Sequence, residues 1–144
     1  MYTLITLHPS HLQVSVFRTQ TECLDFVEKN NCSRYKVYQP HQKRDLTFLN
    51  SFIWCPEKSD FVIDIPKAKE IKKFLLRQVR SVLFQKLDTA FIKAIELDDL
   101  QQKQYIVSLK NQFRDITDLD LPDEEKALLD FMPAVFKEVY DMSV

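Results

Sequence analysis

The chain has 144 residues, with 20 Lys and Arg against 21 Asp and Glu, and a hydrophobic content of 45%, which is typical of one globular domain or two small ones. It contains no glycine, where the usual frequency of about 7% would give roughly ten. This absence excludes the phosphate-binding loop, the dinucleotide-binding turn, the nucleophile elbow and the standard EF-hand loop, because each needs glycine at set positions. Left-handed backbone positions are therefore expected on Asn or Asp.

The first 65 residues alternate short strand and turn signals. Thr19 or Thr21 is expected to cap one short helix, which Asn30 and Asn31 are expected to end. Pro40 closes the third strand, and turn-forming residues separate the last two. The zone is predicted to be a small sheet with one helix, and the strands are expected at residues 2–7, 12–17, 35–38, 52–54 and 61–63.

Residues 66–97 have apolar side chains at intervals of three or four, which predicts one long amphipathic helix. Asp64 can cap this helix, with Pro66 in its first turn. Apolar residues recur at the same spacing at Ile106, Leu109 and Phe113, which predicts a second helix of about four turns. The short connection predicts an antiparallel hairpin, in which Asp98 or Asp99 has a left-handed or helix-capping conformation.

Charge divides the chain into three predicted domains. Residues 1–65 have no net charge, residues 66–114 have a net charge of +6, and residues 115–144 have a net charge of −7. The fold class is therefore predicted to be α+β: an N-terminal domain at 1–65, a helical hairpin at 66–114, and an acidic segment with short helices at 115–144.

Candidate sites for chemistry are weak. His8 and His11 have no third ligand nearby, so no metal site is predicted there. Six carboxylates between residues 115 and 125 are interpreted as a solvated acidic segment, or as a surface for a basic partner or for the chain's own basic helix. The odd number of cysteines favours reduced, buried thiols. We expect no cofactor, no catalytic residues, no enzyme activity, and no targeting or membrane-spanning segment.

Two groups of residues are candidates for partner binding. The long helix has basic residues on one face, which could contact an anionic partner, remain solvated, or bind the acidic segment. The acidic segment has apolar residues that could pack in the core or anchor a partner. The candidates are Lys69, Lys73, Arg77 and Arg80 in the basic group, and Leu128, Leu129, Phe131, Met132 and Phe136 in the apolar group.

The stretch 65–133 resembles the C-terminal part of small proteins encoded beside tail-fibre genes in tailed bacteriophages, described as tail fibre proteins or tail assembly chaperones. The resembling segments are 65–71, 76–80, 87–96, 109–117 and 131–133. The family commonly has a Gly-Asp turn after its first long helix, and here Asp98-Asp99 stands at that turn. The resemblance covers about half the chain and implies no catalytic residues.

The resemblance implies a non-enzymatic role in the tail or in its assembly. The expected partners are a fibre, baseplate or adaptor protein, with possible oligomers in the virion; the expected location is the virion tail or the host cytoplasm. The alternative is a nucleic-acid-associated phage protein that uses the basic face of helix 66–97. A pI near 6.3 argues against a nucleic-acid partner. A small hydrolase or an inhibitor of a host enzyme is a third option, but no residue in the sequence points to either activity.

Overall fold

A computed structural model describes residues 1–143 of the chain, with all their side chains except those of Thr117 and Asp118. The fold class is α+β. The chain divides into two compact units, one formed by residues 1–68 and the other by the described residues from Lys69 onward. The predicted hairpin and acidic segment therefore lie together in the second unit.

The first unit contains five strands in two sheets, where the sequence predicts a single sheet. Strands β1 (Tyr2–Leu7), β2 (Leu12–Phe17) and β3 (Tyr35–Tyr38) form an antiparallel sheet in the order β2-β1-β3. Strands β4 (Phe52–Cys55) and β5 (Asp60–Ile63) form a separate antiparallel hairpin. Strand periodicity identifies each strand but does not say which strands pair, because pairing depends on contacts distant in sequence.

Helix α1 (Gln20–Lys29) packs on the three-stranded sheet. Thr19 is its N-cap and forms a capping box with Glu22, whose backbone N–H donates to Thr19 Oγ1 at 3.2 Å. Cys23 and Val27 lie one turn apart on its inner face and pack with Leu4 of β1. Of the three free cysteines, Cys23 is buried and the other two are half-exposed, so the expectation of buried thiols holds at one position.

The second unit is helical. Its core is formed by apolar residues of α2 (Ile65–Glu96), α3 (Leu100–Arg114), α4 (Glu125–Asp130) and α5 (Ala134–Asp141). A short 3-10 segment, Asp115–Asp118, follows α3. The rings of Phe84 and Phe113 meet edge to face at 5.9 Å, and Phe113 stacks on Phe136 at 4.9 Å, so α2, α3 and α5 share one aromatic contact.

The α2–α3 connection is the predicted hairpin turn. Asp98 has φ 52°, and Asp99 caps α3 because its Oδ1 accepts from the N–H of Gln102 at 2.9 Å. The N–H groups of Asp98 and Asp99 donate to the carbonyls of Ile95 and Ala94, which is the Schellman pattern of a helix end. The expectation for these two aspartates is confirmed.

Helix α1 ends in the same way. The N–H groups of Asn31 and Cys32 donate to the carbonyls of Glu28 and Val27, and Asn31 has φ 50°. The third left-handed position is Ser59, with φ 47°, in the turn between β4 and β5. The expectation that Asn or Asp would occupy every such position is therefore wrong at Ser59, where the N–H donates to the Pro56 carbonyl and closes the turn.

No helix in residues 1–143 has both the length and the hydrophobicity needed to cross a bilayer.

Candidate protein-binding surface

Two of the four predicted basic residues on α2 form ion pairs within the chain. Lys69 Nζ lies 2.5 Å from Asp123 Oδ1, and Lys73 Nζ lies 3.4 Å from Glu70 Oε1. Asp123 belongs to the acidic segment, so the interpretation that the basic helix binds this segment applies at Lys69. These contacts partly neutralise the basic residues at this end of α2.

Two other lysines of α2 bind backbone carbonyls of the acidic segment. Lys72 Nζ donates to the Leu129 carbonyl at 2.8 Å, and Lys86 Nζ donates to the Tyr140 carbonyl at 2.7 Å. Lys72 is 8% exposed, and its burial lowers the pKa of the ammonium group, although Asp130 opposes this shift. Sequence reasoning missed these contacts because a backbone carbonyl has no residue-type signal.

The remaining predicted basic residues face a cleft of about 490 Å³. Arg77 and Arg80 of α2 are joined there by Arg114 of α3, and we call this feature the arginine cleft. Arg80 Nη1 lies at 3.5 Å from the Phe113 carbonyl, which is a long hydrogen bond. Arg114 Nη1 donates to Asn111 Oδ1 at 2.9 Å. The cleft therefore gathers three guanidinium groups from two helices.

One edge of the arginine cleft is acidic. Asp88 lines the cleft, and its Oδ1 accepts from Lys110 Nζ at 2.6 Å. The same ammonium group lies 4.9 Å from the centre of the Phe91 ring. Lys110 therefore neutralises the carboxylate, and the arginines retain an excess of positive charge. Arg114 was missed by sequence reasoning because it lies at the end of a different helix.

The apolar candidates in the acidic segment separate into core and surface residues. Leu128 and Phe136 are 0% and 1% exposed, so they are core residues of the second unit. Leu129 and Phe131 are half-buried, and Met132 is 52% exposed. Of the two alternatives for the five apolar candidates, core packing therefore applies to Leu128 and Phe136.

An apolar groove lies between α2 and α5, with a volume of about 230 Å³. Val79 and Leu83 line it from α2, and Phe136 and Tyr140 from α5. Met132 stands at its edge, and Tyr140 is 74% exposed. We call this feature the Met132 groove; it is lined by Val79, Leu83, Met132, Phe136, Lys137 and Tyr140. Spacings of four residues on each helix, at 79 and 83 and at 136 and 140, are the sequence signal that could have indicated it.

His8 and His11 form a local pair in the first unit. Their rings stack at 5.0 Å, His8 Nε2 lies 3.2 Å from Thr6 Oγ1, and His11 Nδ1 lies 3.1 Å from Ser10 Oγ. Across the described residues, no cluster of three or more His, Cys, Asp or Glu side chains could hold a metal ion. The carboxylates of the acidic segment therefore do not converge on one point within the described part of the chain.

Comparisons of the chain with protein families, with curated proteins and with solved structures find no match.

Proposed function

We propose that this protein is a non-enzymatic interaction protein of a bacteriophage tail, acting in the virion or in tail assembly in the host cytoplasm. Its partner would be a fibre, baseplate or adaptor protein. The tail assignment rests on the resemblance of residues 65–133 to small proteins encoded beside tail-fibre genes. That stretch forms α2, α3 and α4 of the described chain.

The Met132 groove is the observation that favours protein binding. An apolar concave surface beside exposed Met and Tyr side chains fits a partner's aliphatic or aromatic side chain. Lys86 of α2 donates to the Tyr140 carbonyl of α5, so the groove wall on α5 is held in place. A preformed groove lowers the entropic cost of binding.

Virions and a gene deletion test the tail assignment. Mass spectrometry of purified virions should detect the protein in fixed copy number if it is a structural part. If it is an assembly factor, virions should lack it, and deletion should produce misassembled fibres. The assignment fails if virions lack the protein and tails assemble normally without it.

Single substitutions test the groove as the binding surface. Tyr140→Asp would place a charge at the groove wall and is expected to abolish co-purification with the tail partner. Val107→Asp is the matched control, because Val107 is 45% exposed on α3 and does not line the groove. Equal loss of co-purification in both variants, or in neither, would contradict a role for the groove.

The arginine cleft favours a second candidate, a phage protein that associates with nucleic acid. Three arginines in one cleft could bind phosphate groups, and each neutralised phosphate would make binding depend on salt. A DNA titration at rising salt tests this. Steep loss of affinity, abolished by Arg77→Glu and Arg114→Glu but retained in the surface variant Lys58→Glu, would favour nucleic acid over a tail protein.

A further inference from the structure

The outward face of α2 has an uncharged row of residues that the core of the second unit does not use. Phe74, Val82 and Ile92 on this row are 57%, 66% and 56% exposed. Successive members are three or four residues apart and span about 32 Å along the helix. We call it the outward stripe; it consists of Ile71, Phe74, Gln78, Val82, Gln85, Thr89 and Ile92.

Burial places the outward stripe opposite the core-facing residues of the same helix. Leu76, Leu83 and Leu87 are 3%, 6% and 0% exposed. At 100° per residue, these leucines point roughly half a turn away from Phe74 and Ile92. The long helix is therefore apolar on two faces, and the chain itself covers only one of them.

The outward stripe is partly symmetric about a midpoint between Ser81 and Val82: two of its pairs match, whereas Phe74 mirrors Thr89 and Val82 mirrors Ser81. Ile71 and Ile92 lie at equal distances from this point, as do Gln78 and Gln85. The charged residues that continue the row at equal distances, Lys67 and Glu96, have opposite signs. A helix with this pattern is complementary to a copy of itself running in the opposite direction.

We propose that the outward stripe binds the same stripe of a second copy of this chain, forming an antiparallel helix pair with a two-fold axis near Val82. In this register Ile71 meets Ile92 of the partner, with aliphatic contacts at both ends of the pair. Gln78 meets the partner's Gln85, and an amide can both donate to and accept from another amide. Row spacings of three and four residues are those at which two helices interdigitate.

Charge favours this register over a parallel one. The antiparallel pairing brings Lys67 opposite the partner's Glu96 twice, once at each end. In this register Arg77 lies two residues, about 3 Å along the helix axis, from the level of the partner's Asp88. Asp88 already accepts from Lys110 through Oδ1, but a carboxylate has a second oxygen free to accept. A parallel pair would instead place Lys67 beside Lys67 and Glu96 beside Glu96.

The symmetry argues for a second copy and against an unrelated protein, because an unrelated partner does not require matched residues about a midpoint. The inference goes beyond the proposed function and does not depend on it. The Met132 groove lies on a different face of α2, so a dimer would leave that groove open to a tail protein.

Sedimentation equilibrium of the full chain tests the proposal. We expect a mass of twice 17.1 kDa at roughly 100 μM, where a dimer with a Kd below about 10 μM would predominate. A mass of 17.1 kDa at that concentration would overturn the proposal and leave the stripe as a surface for a different protein.

Val82→Lys tests whether the outward stripe, and not another exposed apolar residue, forms the dimer contact. It places two lysines beside each other at the axis of the pair, so the variant should sediment as a monomer with unchanged helical circular dichroism. Val107→Lys adds the same charge on α3 and should remain dimeric. A dimeric Val82→Lys variant, or a monomeric Val107→Lys variant, would contradict the assignment.

Charge exchange tests the antiparallel register. Lys67→Glu and Glu96→Lys each replace two attractions with two repulsions, and each should raise the dimer Kd by about tenfold. The double variant restores opposite charges and should return the Kd to within about twofold of the original. Single variants with unchanged Kd, or a double variant as weak as the singles, would exclude this register.

Discussion

At the residue scale, a chain without glycine still has three left-handed positions within residues 1–143. They fall on Asn31, Ser59 and Asp98, at two helix ends and one hairpin turn. Asn and Asp tolerate this conformation better than other residues, whereas Ser has no such advantage. The cost of the missing glycine should therefore be largest at Ser59.

Ser59→Gly should stabilise the protein by about 0.5 kcal/mol, since relief of the left-handed conformation exceeds the added freedom of the unfolded chain. Thermal unfolding measures the change as a rise in Tm. Ser33→Gly is the control, because Ser33 is not among the residues with positive φ, and its Tm should fall or stay level. A Tm that falls as far for Ser59→Gly as for Ser33→Gly would contradict this explanation.

The buried Lys72 makes the stability of the protein depend on pH. Its folded-state pKa lies below the usual value because burial disfavours the ammonium ion, so the unfolded chain binds more protons in the interval between the two pKa values. Stability contributed by this group therefore rises as pH increases through that interval. The penalty is fully present below the lowered pKa and disappears above 10.5, the ordinary value.

Lys72→Met should remove this pH dependence while retaining most of the side-chain packing. Urea unfolding of both proteins at pH 7 and pH 10 measures it. As pH rises from 7 to 10, the free energy of unfolding of the original protein should increase relative to that of the Lys72→Met variant. Lys93→Met, at an exposed position of α2, should show no such shift. A constant difference between Lys72→Met and the original protein would contradict the assigned pKa direction.

At the element scale, local signals account for both ends of the hairpin turn. Asp98 ends α2 in the left-handed conformation and Asp99 begins α3, so two adjacent aspartates have different roles. Sequence reasoning predicted a left-handed or capping conformation at Asp98 or Asp99, because helix caps depend on residues within one turn, but it did not say which aspartate has which role. It did not distinguish the core face of α2 from the exposed face, since apolar residues occur on both.

Asp99→Ala should destabilise the second unit by about 1 kcal/mol, because the N–H of Gln102 loses its side-chain acceptor. The urea midpoint measures the loss. Asp99→Asn should retain most of the stability, since Asn is an equally good N-cap. Asp25→Ala, at an exposed position within α1, should change the midpoint little. Equal midpoints for Asp99→Ala and the original protein would exclude a capping role.

At the scale of the whole molecule, the acidic segment is part of a folded unit. Leu128 and Phe136 are buried with residues of the hairpin, and three lysines of α2 contact the segment. The sequence indicated the opposite charges of the two segments but left open whether the acidic one binds in cis or in trans. Burial of Leu128 favours the contact in cis.

Leu128→Ala should therefore cost about 2–5 kcal/mol, the range for a leucine removed from a packed core. Met132→Ala, at the exposed edge of the Met132 groove, should change stability by less than about 0.5 kcal/mol. Urea unfolding of both variants measures the contrast. A small loss for Leu128→Ala would mean that the acidic segment contributes little to the fold.

The sequence by itself determined the α+β class, the positions of the strands and long helices, and two candidates for each of two helix caps, Thr19 or Thr21 and Asp98 or Asp99. These features depend on side-chain period and on residues within one turn. Only the tertiary structure decided that five strands form two sheets, that Arg114 joins Arg77 and Arg80, and that Leu128 is buried while Val82 is exposed. Those features depend on contacts between residues distant in sequence. Apolar residues recur at the same spacing along a helix whether they pack in the core or face a second molecule.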